Sequence, residues 1–289
     1  MSVQAPEKCP VCAGSLSRLC RLSADRSIYA CDRCGLRRLL PLPSAEELRA
    51  YYGRPEYLKA DLAELHDQLT AGYDREAPII RLYRRHLDAI AAQVRPPAKL
   101  LEVGCARGVL LDLARQAGYE VAGVEVNGYA ADYARENFGL NVLTGDLSEV
   151  DPGEQYDIVV ALDVIEHLPD PASALARLAS FLRPGGLAVI GTPDRRSFLY
   201  RLAEALARWT GGRWTYPARR FYGRGWEHLT VFSRQDLSDL AANVGLSPLD
   251  GYGYSIPLGN ITGLGPVRRL VLAPLLRRPY EFVLLARKK

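Results

Sequence analysis

The chain lacks long hydrophobic runs. No segment reaches 18 consecutive apolar residues, and the first ten residues contain no apolar core of signal-peptide length. These absences argue against a membrane-spanning helix and a secretory leader, so the cytoplasm is the expected location. The composition, 48% hydrophobic and 24% charged over 289 residues, is typical of a soluble globular protein. A chain of this length can build one large domain and a small one.

Acidic residues are sparse in the second half of the sequence, where arginines are concentrated at 195–224 and 268–289. A surface rich in arginine can meet phosphate groups, anionic lipid or RNA. The formal net charge is only +4, however, and an ordinary solvated surface explains these arginines equally well.

Four of the six cysteines form two pairs. Cys9 and Cys12 make the first CxxC pair, Cys31 and Cys34 make the second, and eighteen residues separate the pairs. Two residues between cysteines let both thiolates face one tetrahedral Zn²⁺, and the spacing between the pairs suits a zinc ribbon. The pattern predicts a structural zinc held by all four thiolates, with no coordination position open for catalysis. The alternative is two unrelated turns with free thiols.

The cysteine pairs precede a helical region and a larger domain. Ser44 and Glu47 form a capping-box pattern, and a mostly helical pattern ends at the Pro96-Pro97 pair. We therefore predict three parts: a zinc-ribbon-like module at 1–40, a helical linker with entry helices at 41–97, and the main domain at 98–289.

Strand-like and helix-like segments alternate through the main domain. Alternation at these lengths predicts an α/β fold with a doubly wound, mainly parallel sheet. Ligands of such sheets bind beyond the carboxyl ends of the strands. The predicted strands are 99–103, 119–126, 141–143, 156–162, 186–191 and 280–286.

The first predicted strand ends in a turn of small residues, Gly104 to Gly108. Glycines at such a turn allow a ligand to approach the backbone closely. An ordinary strand-to-helix turn is the simpler interpretation, because this spacing alone is a weak signal. The complete GxGxxG pattern of a dinucleotide-binding turn is absent.

Acidic residues mark the ends of the predicted strands: Glu102, Glu125, Asp146 and Asp163. Glu125 lies about twenty residues beyond the glycine turn, where a carboxylate can bind the two hydroxyls of a ribose. Asp146 can accept a hydrogen bond from an exocyclic amine such as that of adenine. An acidic rim disfavours a pyrophosphate and suits a cationic ligand that contains adenosine.

These stretches resemble class I S-adenosylmethionine-dependent methyltransferases over roughly residues 75–289. Residues 102–108 are similar to the family's first motif, with Ala106 where the family usually has glycine. Residues 163–171 resemble the stretch after the fourth strand, and 182–186 resemble the turn before the fifth. The resemblance implies a Rossmann-like seven-stranded sheet and S-adenosylmethionine as cofactor.

The resemblance also suggests roles for individual residues. Two candidate catalytic residues are His167, just past the fourth strand, and His228, in a later segment, although each can instead be structural. By analogy, Tyr73 and Arg75 reach the methionine carboxylate. The implied cofactor-binding residues are Glu102, Gly104, Cys105, Ala106, Gly108, Glu125, Val126, Asp146, Leu147 and Asp163.

The acceptor remains open between two hypotheses. An insertion at about 195–228 mixes aromatic residues with arginines and is predicted to roof the acceptor site. The preferred hypothesis is O-methylation of a small molecule, sugar, glycan or lipid-linked intermediate in a biosynthetic pathway. The alternative is an RNA methyltransferase whose zinc ribbon grips RNA, although no Asn-Pro-Pro-Tyr-type motif follows the fourth strand.

Two further interpretations concern the membrane and a loss of activity. Residues 261–276 interleave leucines with arginines, so they either touch a membrane surface peripherally or pack on the sheet as a helix. A non-enzymatic scaffold with an inactive cofactor site is a third hypothesis for the whole chain. The intact Glu125 and Asp146 argue against it.

Overall fold

The computed structural model describes residues 8–54, 77–210, 222, 228–255 and 279–289. The strands are β1 (Leu16–Arg21), β2 (Ser27–Cys31), β3 (Arg37–Leu40), β4 (Lys99–Val103), β5 (Glu120–Glu125), β6 (Val142–Thr144), β7 (Tyr156–Leu162), β8 (Leu182–Pro193), β9 (Thr230–Val231), β10 (Leu246–Pro248), β11 (Tyr252–Tyr254) and β12 (Glu281–Lys288). The helices are α1 (Ala45–Tyr52), α2 (Pro78–Ala91), α3 (Val109–Gln116), α4 (Gly128–Phe138), α5 (Pro171–Ser180), α6 (Phe198–Trp209) and α7 (Arg234–Asn243).

The large sheet has the strand order β10–β12–β8–β7–β4–β5–β6, with β11 added beside β12. Strands β4 to β8 pair in parallel, whereas β12 runs antiparallel to β8. The central strands are almost continuously buried because helices cover both faces of the sheet. The predicted Rossmann-like α/β fold is thereby confirmed, and β11 is an additional strand.

Each face of the large sheet has its own hydrophobic cluster. On one face Ile80 of α2, Leu111 of α3 and Ala131 of α4 belong to a single cluster. On the other face Leu175 of α5 and Leu237 of α7 belong to a second cluster. The alternation of strands and helices along the chain therefore produces the three-layer arrangement that positions the strand ends.

The small sheet holds the cysteines and has the order β1–β2–β3–β9. The β1 and β2 strands form an antiparallel hairpin, and β3 pairs with β2 on one side. On its other side, Arg37 pairs with Val231 and Arg38 with Thr230. A strand from near residue 230 thus completes a sheet whose other three strands lie within the first forty residues. We call residues 8–40 the cysteine module.

The cysteine module packs tightly on the rest of the chain. Arg37 makes a bidentate ion pair with Glu204 of α6, at 2.9 Å, and both side chains are largely buried. The Arg195 guanidinium donates to the Cys34 carbonyl at 2.8 Å and to Asp236 at 2.7 Å. The boundaries at 40 and 97 remain predictions from the sequence.

The helix after the cysteine module begins as the sequence predicts. Ser44 accepts a hydrogen bond from the Glu47 amide, and the Glu47 carboxylate accepts one from the Ser44 amide. This reciprocal capping box is confirmed, and it fixes the start of α1.

Several sequence predictions fall outside the described residues. These are Tyr73, Arg75, residues 261–276, and all of the predicted roof beyond residue 210 except Tyr222 and His228. The first part of the predicted roof is α6, whose Tyr200 and Ala203 pack against Ile28 and Leu39 of the small sheet. Among the helices in the described ranges, none has the length and apolar character needed to cross a bilayer.

Candidate active site

The turn after β4 has an unusual backbone. Gly104, Ala106 and Gly108 all adopt left-handed conformations, with φ of 75°, 47° and 79°. A Cβ atom on Gly104 would come within 2.5 Å of Val164, and one on Gly108 equally close to Leu140. Glycine is therefore required at both positions for space as well as for conformation. Ala106 keeps a Cβ atom in a conformation that only glycine adopts readily.

The Glu125 carboxylate holds this turn in place from the end of β5. One oxygen accepts a hydrogen bond from the Ala106 amide and the other from the Asn127 amide, both at 2.8 Å. The residue is only 7% exposed, and burial raises the pKa of its carboxyl. Because a carboxylate oxygen can accept two hydrogen bonds, both oxygens retain capacity for hydroxyl groups of a ligand. The predicted neighbour Val126 is half-buried.

Glu102 lies at the end of β4 with a polar atom unsatisfied. It is 6% exposed, and its Oε2 atom has no hydrogen-bonding partner among the described residues. Burial, together with the nearby Glu125 charge, raises the pKa of its carboxyl to about 8. A buried acceptor without a donor is costly, so this atom favours binding of a donor-bearing or cationic group. Cys105 is also buried, and burial raises the pKa of its thiol.

Asp146 and Leu147 follow β6, whose last residue Thr144 pairs in parallel with Glu125. The Asp146 Oδ1 atom accepts from the Ser148 amide at 2.8 Å and from its hydroxyl at 2.5 Å. This local turn fixes the half-buried carboxylate at the same sheet edge as Glu125, and Leu147 is buried beside it.

Asp163 lies at the end of β7 and has a left-handed backbone, with φ of 54°. The Tyr254 hydroxyl donates a hydrogen bond to its Oδ1 atom at 3.1 Å. Burial raises the pKa of the Asp163 carboxyl to about 6. The tyrosine comes from β11, which the sequence patterns did not predict.

The structure brings the two candidate histidines together. His167 lies on the short 3₁₀ turn Ile165–His167 after β7, and its ring centroid is 5.2 Å from that of His228. His228 Nδ1 lies 2.9 Å from the Tyr200 hydroxyl. Burial, aided by the proximity of His228, lowers the pKa of His167 well below its usual range, so its ring is neutral near pH 7. A neutral imidazole can accept a proton.

Glu166 lies beside the two rings and is completely buried. Its Oε2 atom accepts a hydrogen bond from Thr192 at 3.0 Å, and its Oε1 atom is 3.8 Å from His167 Nε2. Glu166, His167 and His228 offer ligand atoms within 4.8 Å of one another, so these three residues could also hold a metal ion.

The four predicted zinc ligands form a second cluster. The Cys9 and Cys34 sulfurs are 3.6 Å apart, and those of Cys12 and Cys31 are 3.4 Å apart. Four sulfurs at about 2.3 Å from a tetrahedral Zn²⁺ lie about 3.8 Å from one another. The chemistry and the spacing of these sulfurs are therefore compatible with zinc.

Sequence reasoning missed three residues that border the site. Tyr52, in the last turn of α1, places its ring centroid 5.9 Å from that of His167. The side-chain Nδ2 atom of Asn127 donates to the Tyr52 and Arg54 carbonyls, and Arg38 donates to the Pro169 carbonyl in the loop after His167. Only Asn127 carried a local signal, as an N-cap residue between a strand and a helix.

Comparisons with known proteins agree with this geometry. Residues 73–250 match a family described as "Methyltransferase domain". A ubiquinone biosynthesis O-methyltransferase of Bradyrhizobium sp. (strain ORS 278) is 32% identical over 162 residues, which are 52% of this chain and 63% of that relative. The corresponding enzyme of Methylococcus capsulatus is 31% identical over 169 residues, 54% of this chain and 67% of that relative. The chain thus matches less than two thirds of the first relative's length.

Solved structures share the fold. A 1,6-didemethyltoxoflavin-N1-methyltransferase of Burkholderia thailandensis, with S-adenosylhomocysteine bound, superposes with a TM-score of 0.53 and 19% identity over 93% of this chain and 97% of that one. A magnesium protoporphyrin IX methyltransferase of Synechocystis PCC 6803 superposes with a TM-score of 0.55 and 17% sequence identity. The match covers 85% of this chain and 100% of that one. At these identities the likeness concerns the fold alone.

Proposed function

The chain belongs to the class I S-adenosylmethionine-dependent methyltransferase family, and from that premise we propose that it methylates a hydroxyl oxygen of a small-molecule acceptor. The observation that carries the proposal is the pairing of two features at one sheet edge. One is the left-handed turn held by Glu125, and the other is the His167–His228 pair after β7. The O-methyltransferase relatives support oxygen as the acceptor atom.

The cofactor residues have chemistry that suits S-adenosylmethionine. In the proposed site Glu125 accepts hydrogen bonds from the ribose hydroxyls, and Asp146 accepts one from the adenine amine. The unpaired Oε2 atom of Glu102 favours the cationic end of the cofactor. The bare backbone of the Gly104 to Gly108 turn allows close approach. When bound, S-adenosylmethionine supplies an electrophilic methyl group on a positively charged sulfur.

The histidines supply a route for the acceptor proton. As the acceptor oxygen forms its bond to the methyl carbon, the carbon–sulfur bond would break to leave a neutral thioether, and a neutral imidazole would take the proton of the acceptor hydroxyl. His167 is the stronger candidate, because its Nδ1 atom is buried without a hydrogen-bonding partner in the described part of the chain. His228, whose Nδ1 atom contacts the Tyr200 hydroxyl, then orients the acceptor or the His167 ring. Alignment of the three reacting atoms is the larger contribution of the protein.

RNA is the less favoured acceptor. An RNA-binding cysteine module would need its arginines on the surface to contact phosphates. Arg37 instead binds Glu204, and the 4% exposed Arg38 binds Thr230 and the Pro169 carbonyl. Two arginines of the module are therefore committed to contacts within the protein, whereas Arg18, Arg21 and Arg33 are exposed. The preference for a small acceptor rests on the O-methyltransferase relatives.

The proposal is tested by following the methyl group. Purified protein is incubated with S-[methyl-³H]adenosylmethionine and, separately, with 3,4-dihydroxybenzoate, methyl α-glucoside, a bacterial lipid extract and total RNA. We expect label in a hydroxyl-bearing small molecule or lipid, and a loss of activity of at least about tenfold in His167→Gln, whose amide cannot take up the acceptor proton. Label confined to RNA would overturn the small-molecule proposal.

A further inference from the structure

The backbone of the cysteine module is continuous with both histidine-bearing segments. The Leu39 amide donates to the Leu229 carbonyl at 2.9 Å, and the Leu229 amide donates to the Glu166 carbonyl at 2.8 Å. Leu229 follows His228 directly, and Glu166 precedes His167 directly. One chain of hydrogen bonds therefore runs from β3 through the segment of His228 to the 3₁₀ turn of His167.

Arg38 joins the same two segments with its side chain. Its Nη1 atom donates to the Thr230 hydroxyl at 2.6 Å, and its Nη2 atom donates to the Pro169 carbonyl at 2.5 Å. Thr230 lies two residues after His228, and Pro169 lies two residues after His167. The guanidinium is planar, so the angle and separation of its two arms are fixed. A single rigid group thus sets the spacing between the two segments.

The helix that follows the module adds a third contact. The Tyr52 ring meets the His167 ring edge to face, with an interplanar angle of 78°. The end of α1 is itself anchored, because the side-chain Nδ2 atom of Asn127 donates to the Tyr52 carbonyl at 2.6 Å. The His167 ring therefore contacts both the Tyr52 ring and the His228 ring.

We propose that Arg38 is a positioning residue for methyl transfer, which holds His167 and His228 at their mutual spacing. Through Arg38 the cysteine module becomes a structural part of the region that binds the methyl acceptor. This inference rests on the proposed function in that it assigns the two rings to the acceptor. Arg38 takes no part in the hydrogen bonds of Glu125 with the backbone amides of Ala106 and Asn127, so loss of Arg38 should leave cofactor affinity intact.

The test compares Arg38→Lys and Thr230→Val with the control Arg18→Lys. Lysine keeps the positive charge but offers one ammonium group, which cannot reproduce the two-armed contact. Thr230→Val removes the acceptor of one of the two Arg38 hydrogen bonds and keeps the shape of the side chain at position 230. Arg18 is an exposed residue of the same small sheet, so its replacement tests the general effect of losing a guanidinium there.

We expect Arg38→Lys to lower kcat about ten- to hundredfold for the hydroxyl acceptor that the wild type methylates, because small misplacements of reacting groups have effects of this size. Thr230→Val lowers kcat less, and Arg18→Lys leaves it unchanged. The Kd of S-adenosylhomocysteine, measured by calorimetry, stays within about twofold in all three. A fall in kcat accompanied by equal loss of cofactor binding would contradict a positioning role.

Imidazole NMR provides a readout that does not depend on the acceptor. The chain has four histidines, and the buried His86, held by Tyr252, serves as an internal reference. Arg38→Lys should shift the ring resonances of His167 and His228 and leave those of His86 in place. Unchanged resonances of the first two would overturn the inference. If the wild type methylates no hydroxyl acceptor, the proposed function fails, while these spectra still decide whether Arg38 positions the rings. Should Arg38→Lys fail to fold, Thr230→Val carries the same test.

Discussion

Ala106 combines a left-handed backbone with a side chain that disfavours it. Its φ of 47° costs an L-residue about 1 kcal/mol relative to glycine. We therefore expect Ala106→Gly to raise the free energy of unfolding by about 0.5–1 kcal/mol, measured by urea denaturation. The control Ala89→Gly, in the helical interior of α2, should lower it by about 1 kcal/mol. A destabilising Ala106→Gly would contradict the strained turn.

Glu125 joins the turn to β5 through two charge-assisted hydrogen bonds. In Glu125→Gln one carboxylate oxygen becomes an NH₂ group, which cannot accept a hydrogen bond from the backbone N–H opposite it. The variant also loses the negative charge that strengthens both hydrogen bonds. We expect the Kd of S-adenosylhomocysteine to rise about 10- to 100-fold, measured by calorimetry. Glu120→Gln, at the exposed start of the same strand, should leave the Kd unchanged. Equal affinities in the two variants would rule out Glu125 as a ribose ligand.

Single residues differ in how far the sequence could reveal them. Glu125, Asp146 and His167 follow predicted strands, and parallel strands bring their carboxyl ends to one edge, so their neighbourhood could be predicted. The contact of Arg38 with Thr230 spans 192 positions and belongs to no local pattern. Such a contact depends on how distant segments pack, which periodicity does not encode.

At the scale of elements, Asn127 connects α4 with α1. Its side-chain oxygen caps α4 by accepting from the Ala130 amide, and its NH₂ group donates to carbonyls at the end of α1. Asn127→Ser keeps a capping oxygen but removes the donor. We expect faster amide hydrogen exchange over residues 45–54 in this variant, with little change in α4, as measured by mass spectrometry.

The control for this prediction is Asn137→Ser, since the side-chain Nδ2 atom of the exposed Asn137 donates to the Tyr133 carbonyl of its own helix. It should leave exchange in α1 at the wild-type rate. If Asn127→Ser also left α1 unaffected, the helix would be held mainly by other contacts, such as the exposed ion pair of Arg49 with Glu149.

Strands within the alternating pattern could be predicted, down to the three-residue β6, whereas the two-residue β9 could not. The strands β4, β5 and β7 show continuous apolar runs between helical patterns, which is a strong local signal. The two-residue β9 is too short to show any period, and its pairing with β3 is a tertiary event. The sequence therefore revealed the cysteine module but not its closure by a distant strand.

At the scale of the whole molecule, the cysteine module shares a core with the methyltransferase fold. Cys9, Leu16 and Leu36 belong to the same buried cluster as Phe232 and Leu237. A module with its own separate hydrophobic core would unfold independently. Shared apolar contacts instead couple the unfolding of the cysteine module to that of the methyltransferase fold. Chain length suggested one large domain and a small one, and the motifs suggested three parts, because neither reports which apolar residues meet.

This coupling would make a zinc ion held by the four cysteines important for the stability of the entire fold. We expect one zinc per chain by elemental analysis, and nearly none in Cys12→Ser, which loses a ligand. Since the core is shared, Cys12→Ser should lower the Tm of a single calorimetric transition by on the order of 10 °C, as expected for the loss of several kcal/mol.

The matched control is Cys20→Ser, a buried cysteine of the same module that lies outside the four-sulfur cluster. It should retain one zinc per chain and lose less stability than Cys12→Ser, because it loses only the burial of one small apolar side chain. Two separate transitions in Cys12→Ser, with the upper one at the wild-type Tm, would mean that the module folds independently. In that case the spacing of His167 and His228 would not depend on zinc, and Arg38 would position the two rings whether or not the cysteine module holds the metal.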